Sequence, residues 1–209
     1  MATRRYNAER RLQKQAELKA RIAAVAAALH AEKGVSGTSY AEIAAKAEVS
    51  IPTVYAHFPS QEELLQGCTS HVAARAPALP IDDVLAAPDL QTAAALLAAA
   101  VERRHLHFEP WLAWREDRVI PFLAELSGHV RHELAGLIAR VLKQHLGPGD
   151  HREIVAGWES VLSFDFWHRA ARGHGLSRAA VRRITLQCLE AMAGLQDTSS
   201  TKAAPRRNR

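Results

Sequence analysis

The side chains best suited to chemistry stand together at Thr53-Val54-Tyr55-Ala56-His57-Phe58. A hydroxyl, a phenol and an imidazole at alternate positions are hydrogen-bonding groups. Val54 and Phe58, four apart, share one side of a helix and read as its buried face. This is binding chemistry. The chain carries no nucleophile elbow, phosphate-binding glycine loop or H-E-x-x-H pattern, so no catalytic residue is assigned and an enzyme is not expected. The flanking residues say what holds the segment in place. Ser39 with Glu42 forms a capping box, and Ile43, Ala44 and Ala47 give the helix it starts an apolar face. Glu48-Val49-Ser50 is a three-residue break, and Ser50 caps the next helix. Pro52 falls in that helix's first turn, where a missing N–H costs little. Pro59 stops the helix, and Ser60 with Glu63 makes a second capping box. Two short helices joined by a tight turn, the second with a polar outer face, form a helix-turn-helix whose second helix reads the DNA major groove.

The run resembles the DNA-binding signature of the tetracycline-repressor (TetR) family of bacterial regulators. The resemblance rests on Ile43-Ala44, Ala47, Val49-Ser50, Thr53, Tyr55, His57-Phe58, Ser60, Glu63 and Leu64, and covers roughly residues 20 to 70. It implies a homodimeric, ligand-released repressor on a palindromic operator. Ser39, Tyr40, Ser50, Ile51, Pro52, Thr53, Tyr55, His57 and Gln61 are the expected DNA-binding residues. Tyr55 and His57 are assigned to phosphates, Ser39 and Ser50 to contacts at helix starts, and Ile51 and Pro52 to a thymine methyl. Three positions depart from the family pattern. Glu48 stands where a glycine of positive φ is usual, Pro52 where many relatives have Gly or a polar residue, and Gln61 where Lys is common.

The formal net charge is +5, and it is unevenly placed. Residues 1–21 hold seven Lys and Arg against two Glu, a net of +5. The tail from Gln196 nets +3, which leaves residues 22–195 at −3. Phosphate attraction dominates non-specific DNA affinity, so the N-terminal run is a candidate DNA contact. The C-terminal run is read as a solvated tail.

With 48% hydrophobic and 23% charged residues, the chain has an ordinary globular composition. No apolar run is long enough to span a membrane and no signal peptide is evident, so a cytoplasmic protein is expected. Cys68 and Cys188 stand far apart, which fits a reducing compartment. His129, His132 and Glu133 share a helical segment, but no further ligand joins them, and a solvated face is the expectation rather than a metal site. No cofactor is expected.

Nothing alternates with period two, so the expected fold is all-α, with about nine helices. The expected organisation is a basic arm (1–13), a helix-turn-helix head with connecting helix (14–76), a helical ligand-binding and dimerisation body (77–195) and a disordered tail (196–209). The prolines of residues 77–88 mark the boundary. In the body, Asp89–His107, Pro121–Leu146, Asp150–Arg172 and Ser177–Leu195 read as helical, and Pro110–Arg115 as a short helix or turn. The last two are apolar on more than one face, so one face is free for a partner copy. Val161, Leu162, Val181, Ile184 and Cys188 are the expected dimer contacts. Phe108, Trp111, Trp114 and Phe122 fall within fifteen residues and, with His105 and Trp158, are candidates to line a pocket for a small hydrophobic effector. Two alternatives stay open: a ligand-free architectural DNA-binding protein of the same fold, or a helical ligand-binding or interaction protein without specific DNA binding.

Overall fold

The computed structural model describes residues 2–195, with side chains from residue 9 onward. The expected C-terminal tail lies outside the described residues. Among them are ten α-helices and no strand: α1 Ala2–Lys33, α2 Tyr40–Lys46, α3 Ile51–His57, α4 Gln61–Ala73, α5 Ile81–Leu85, α6 Leu90–Leu112, α7 Pro121–Leu146, α8 Arg152–Val161, α9 Phe164–His168 and α10 Arg178–Met192. A 3-10 turn covers Glu116–Arg118 and a π-helical turn Arg169–Gly173.

The chain forms two compact units. The first takes residues 1–77 together with 104–129; the second takes 78–103 and 130–209. The N-terminal stretch of the first unit ends at Pro77, and residues 104–129 return to it.

In that unit α1 is Ala-rich and therefore a strong helix former. It stops at Gly34, whose φ of +76° a Cβ would resist. Of the residues expected as an arm, 2–13 lie inside α1, which begins at Ala2. Ile22, Ala26 and Leu29 of α1 pack on Ile43, Ala44 and Ala47, on Val54 and Phe58, and on Leu64, Cys68 and Val72 of α4. Burial pushes the Cys68 thiol up to about 12, so it is an inert core group.

The returning segment is fastened to the head by polar bonds as well as packing. Trp111 Nε1 donates to the Ala27 carbonyl at 2.8 Å and Trp114 Nε1 to that of Ala31 at 3.2 Å. His107 Nε2 lies 3.0 Å from the Val72 carbonyl. After α6, Arg115 turns the chain in left-handed conformation (φ 58°). Glu116 then accepts from the Val35 N–H at 2.6 Å and the Ser36 N–H at 2.7 Å, satisfying backbone donors just past the end of α1. Burial pushes the Glu116 carboxyl up, but those N–H groups, with His30 nearby, hold it below its ordinary value on balance.

The second unit has its own core. Val84, Leu90, Ala93, Ala94, Leu97 and Val101 meet Leu137, Ile138, Val141 and Leu142 of α7, with Trp158, Val161, Leu162 and Leu189. Glu102 is buried and receives the guanidinium groups of Arg178 and Arg182 from the start of α10. The expected single helix Asp150–Arg172 is divided. Ser163 breaks it: its hydroxyl donates to the Ser160 carbonyl at 2.7 Å and accepts from the Phe166 N–H at 3.2 Å, ending α8 and capping α9. In the other direction, α6 runs through Pro110 to Leu112, where the expected helix ends near His107 and a separate short helix or turn follows.

Candidate nucleic-acid interface

A serine caps each of α2, α3 and α4, and among the described residues the reciprocal box forms at Ser39 and Glu42 rather than at Ser60 and Glu63. Ser39 caps α2, and its hydroxyl and backbone N–H engage Glu42 in a complete capping box. Hydrogen bonds from Lys33 and from Ser39 hold the Glu42 carboxyl down at about 2, so it is an anion near neutral pH. Ser50 caps α3 by accepting from the Thr53 N–H, and the two hydroxyls lie 2.8 Å apart. Ser60 caps α4, accepting from the Glu63 N–H at 3.1 Å. Glu48 occupies the turn between α2 and α3 at φ 54°, the conformation in which glycine is the unstrained residue.

These starts orient α3. Val54 is fully buried and Phe58 is 1% exposed, so the helix is anchored from below. Ile51, Pro52, Tyr55 and Ala56 are exposed; Thr53 and His57 are half-buried. The Tyr55 ring, 49% exposed, stacks on Tyr40 of α2 at 4.5 Å with the planes 13° apart. Tyr40 thereby braces the ring most prominent on this face. Gln61 is exposed at the first turn of α4, next to Glu62 and Glu63. The nine residues assigned to DNA from the sequence all belong to this one three-helix element. Ser39 and Ser50 also spend their hydroxyls on capping.

Residues 22–68 match the family described as bacterial regulatory proteins, tetR family. Residues 22–68 are a TetR-type DNA-binding domain. The chain that carries it is a transcriptional regulator of the TetR type. Solved structures share its fold along most of its length. One is a transcriptional regulator from Rhodococcus sp. Rha1, 22% identical over 85% of this chain and 94% of that one, TM-score 0.60. Another, from Mesorhizobium loti MAFF303099, carries a TetR-family assignment and is 23% identical over 87% and 97%, TM-score 0.59. A regulator structure from Pseudomonas aeruginosa PAO1 is 16% identical over 84% and 90%, TM-score 0.64. No curated protein sequence matches the chain.

The residues expected to line a pocket are distributed between the two units. Phe108 and Trp111 pack against the head's core. Trp114 is half-exposed and bonded to α1, and His105 and Phe122 are half-buried in the same unit. Trp158 is fully buried in the second unit, its Nε1 donating to the Leu189 carbonyl at 3.0 Å. Of the expected dimer contacts, Val161, Leu162 and Val181 are buried within their own chain. Ile184 and Cys188 are only half-buried, and with Met192 they form an i, i+4, i+8 apolar stripe along α10. No local sequence signal marks Glu116, whose role depends on two N–H groups some eighty positions away. Among the described residues no group of His, Cys, Asp and Glu could hold a metal ion, and no helix is long and apolar enough to cross a membrane.

Proposed function

We propose that this TetR-type regulator is a cytoplasmic repressor that binds a palindromic operator as a homodimer and is released by a small hydrophobic effector. The observation that carries the DNA part is the exposed outer face of α3, with Val54 and Phe58 locked beneath it. Tyr55 and His57 contact phosphates, Thr53 contacts a base edge or phosphate, and Ile51 and Pro52 offer apolar surface to a thymine methyl. Ser39, Tyr40, Ser50 and Gln61 flank them. The dimer places two such faces on half-sites about one helical turn apart.

The effector part rests on the aromatic residues of 105–122 and on the family resemblance. The ligand-free alternative draws on one observation: Trp158 is fully buried and bonded, so it lines no open space.

The test is enrichment of duplexes from a random-sequence pool by the full chain. Recovery of one inverted repeat supports the reading, and Tyr55→Ala should weaken binding to it at least tenfold. Enrichment of no sequence, with folded dimer in the assay, removes the operator-binding function. An apolar compound library screened against that complex then separates the effector-released regulator from the ligand-free one.

A further inference from the structure

The DNA-reading segment is short of positive charge. Residues 22–68 hold two Lys against five Glu. Both lysines are engaged: Lys33 pairs with Glu42, and Lys46 with Glu32 at 3.1 Å. Recognition helix α3 contains no Lys or Arg, and α4 opens Gln61-Glu62-Glu63. A head of this composition repels a polyanion unless cations come from elsewhere.

They stand on α1. Its fully buried part begins at Ile22, the residue at which the family match also begins, with Leu18 packed on the same core. N-terminal to it, residues 9–21 are exposed apart from half-buried Leu18. They carry Arg10, Arg11, Lys14, Lys19 and Arg21 against Glu9 and Glu17. At 100° per residue Arg10, Lys14 and Arg21 share a face with Glu17, and Arg11 lies beside it. The two leucines, Leu12 and Leu18, fall on different sides, so the segment has no apolar stripe for a partner helix or a lipid surface. The run also adjoins the recognition helix, at its buried side. Lys19 Nζ lies 5.1 Å over the ring of Phe58, the residue that ends α3. At a rise of 1.5 Å per residue, Arg10 stands about 14 Å further along the axis, a span of roughly four phosphates of one strand at about 3.4 Å each.

We propose that residues 9–21 form a second DNA-contact surface: a rigid cationic extension of α1 that lies along phosphates beyond the recognition helix and supplies the charge the head lacks. The inference rests on the DNA-binding reading above. Because it contacts backbone rather than bases, the rod sets affinity and salt dependence and leaves sequence preference alone.

The experiment measures binding of full-length protein to its enriched duplex across a salt series. Neutralising Arg10→Gln, Arg11→Gln and Lys14→Gln together should flatten the log–log slope by about 2 to 3 units per head, at roughly 0.9 per phosphate contact, with the same duplexes preferred. The charge-keeping triple Arg10→Lys, Arg11→Lys, Lys14→Arg should retain the wild-type slope. Ala16→Pro keeps every charge but interrupts the exposed part of the helix, and should weaken binding several-fold. Wild-type slope and affinity in the neutral triple overturn the proposal, and wild-type binding by Ala16→Pro overturns its rigidity. If the wild-type chain enriches no duplex, the DNA-binding reading itself fails, which is a separate and visible result.

Discussion

Glu48 lies at φ 54° in the turn between α2 and α3, a conformation that places the Cβ of an L-residue against the backbone. A side chain held there costs of the order of 1 kcal/mol. Glu48→Gly should therefore stabilise the protein by up to about 0.5 kcal/mol, the strain relieved less the extra freedom glycine has when unfolded. A urea midpoint that fails to rise would show that some other interaction holds Glu48 in place. Glu48 is exposed, so its removal also takes one anion from the head, and DNA affinity should not fall. At the same scale Tyr40 is informative. Its sequence position suggests a DNA contact, whereas its ring spends itself on Tyr55.

At the level of elements, the recognition helix is held by one ring. Phe58 ends α3, is buried, and lies against Gly67 of α4. A Cβ at residue 67 would come within 2.6 Å of Phe58 Cε1 and 3.7 Å of Ala23 Cβ. Glycine here is a packing requirement: it lets α4 approach the ring. Gly67→Ala gains helix propensity, about 1 kcal/mol, but overpacks a closed core, which typically costs 1 to 3 kcal/mol. The expected result is a lower thermal midpoint and weaker operator binding, because the displaced ring carries the end of α3 with it. Adding Phe58→Leu should recover part of the stability by making room. A Gly67→Ala protein as stable as wild type would mean that the ring moves aside freely. The division of Asp150–Arg172 belongs here too. Hydrophobic spacing continues across Ser163, and only the competing hydroxyl bonds to Ser160 and Phe166 stop the helix.

For the whole molecule, the question is which apolar surface one chain leaves over. Val161, Leu162 and Val181 are consumed by the core of their own unit. Ile184, Cys188 and Met192 remain as a stripe on α10, with Met192 40% exposed and Leu195 beyond it. Ile184→Glu with Met192→Glu should give soluble, helical monomers in sedimentation and at least a tenfold loss of operator affinity, since a palindrome then gains only one head at a time. A double variant that sediments as a dimer removes this stripe from the interface.

The sequence by itself determined the head. Its helices are short, their caps are local Ser–Glu and Ser-x-x-backbone contacts, and Val54 and Phe58 four apart state the buried side. Such signals act within one turn of chain and need no distant partner. It also determined the all-α character and the charge imbalance between residues 1–21 and the rest. Only the tertiary structure decided where residues 104–129 belong, because Trp111, Trp114 and Glu116 reach backbone groups some eighty positions earlier. It likewise decided which of two apolar faces on α8 and α10 is core. Periodicity shows that a face is hydrophobic, but the element that covers it is a matter of contacts far apart in sequence, and those exist only once the chain has folded.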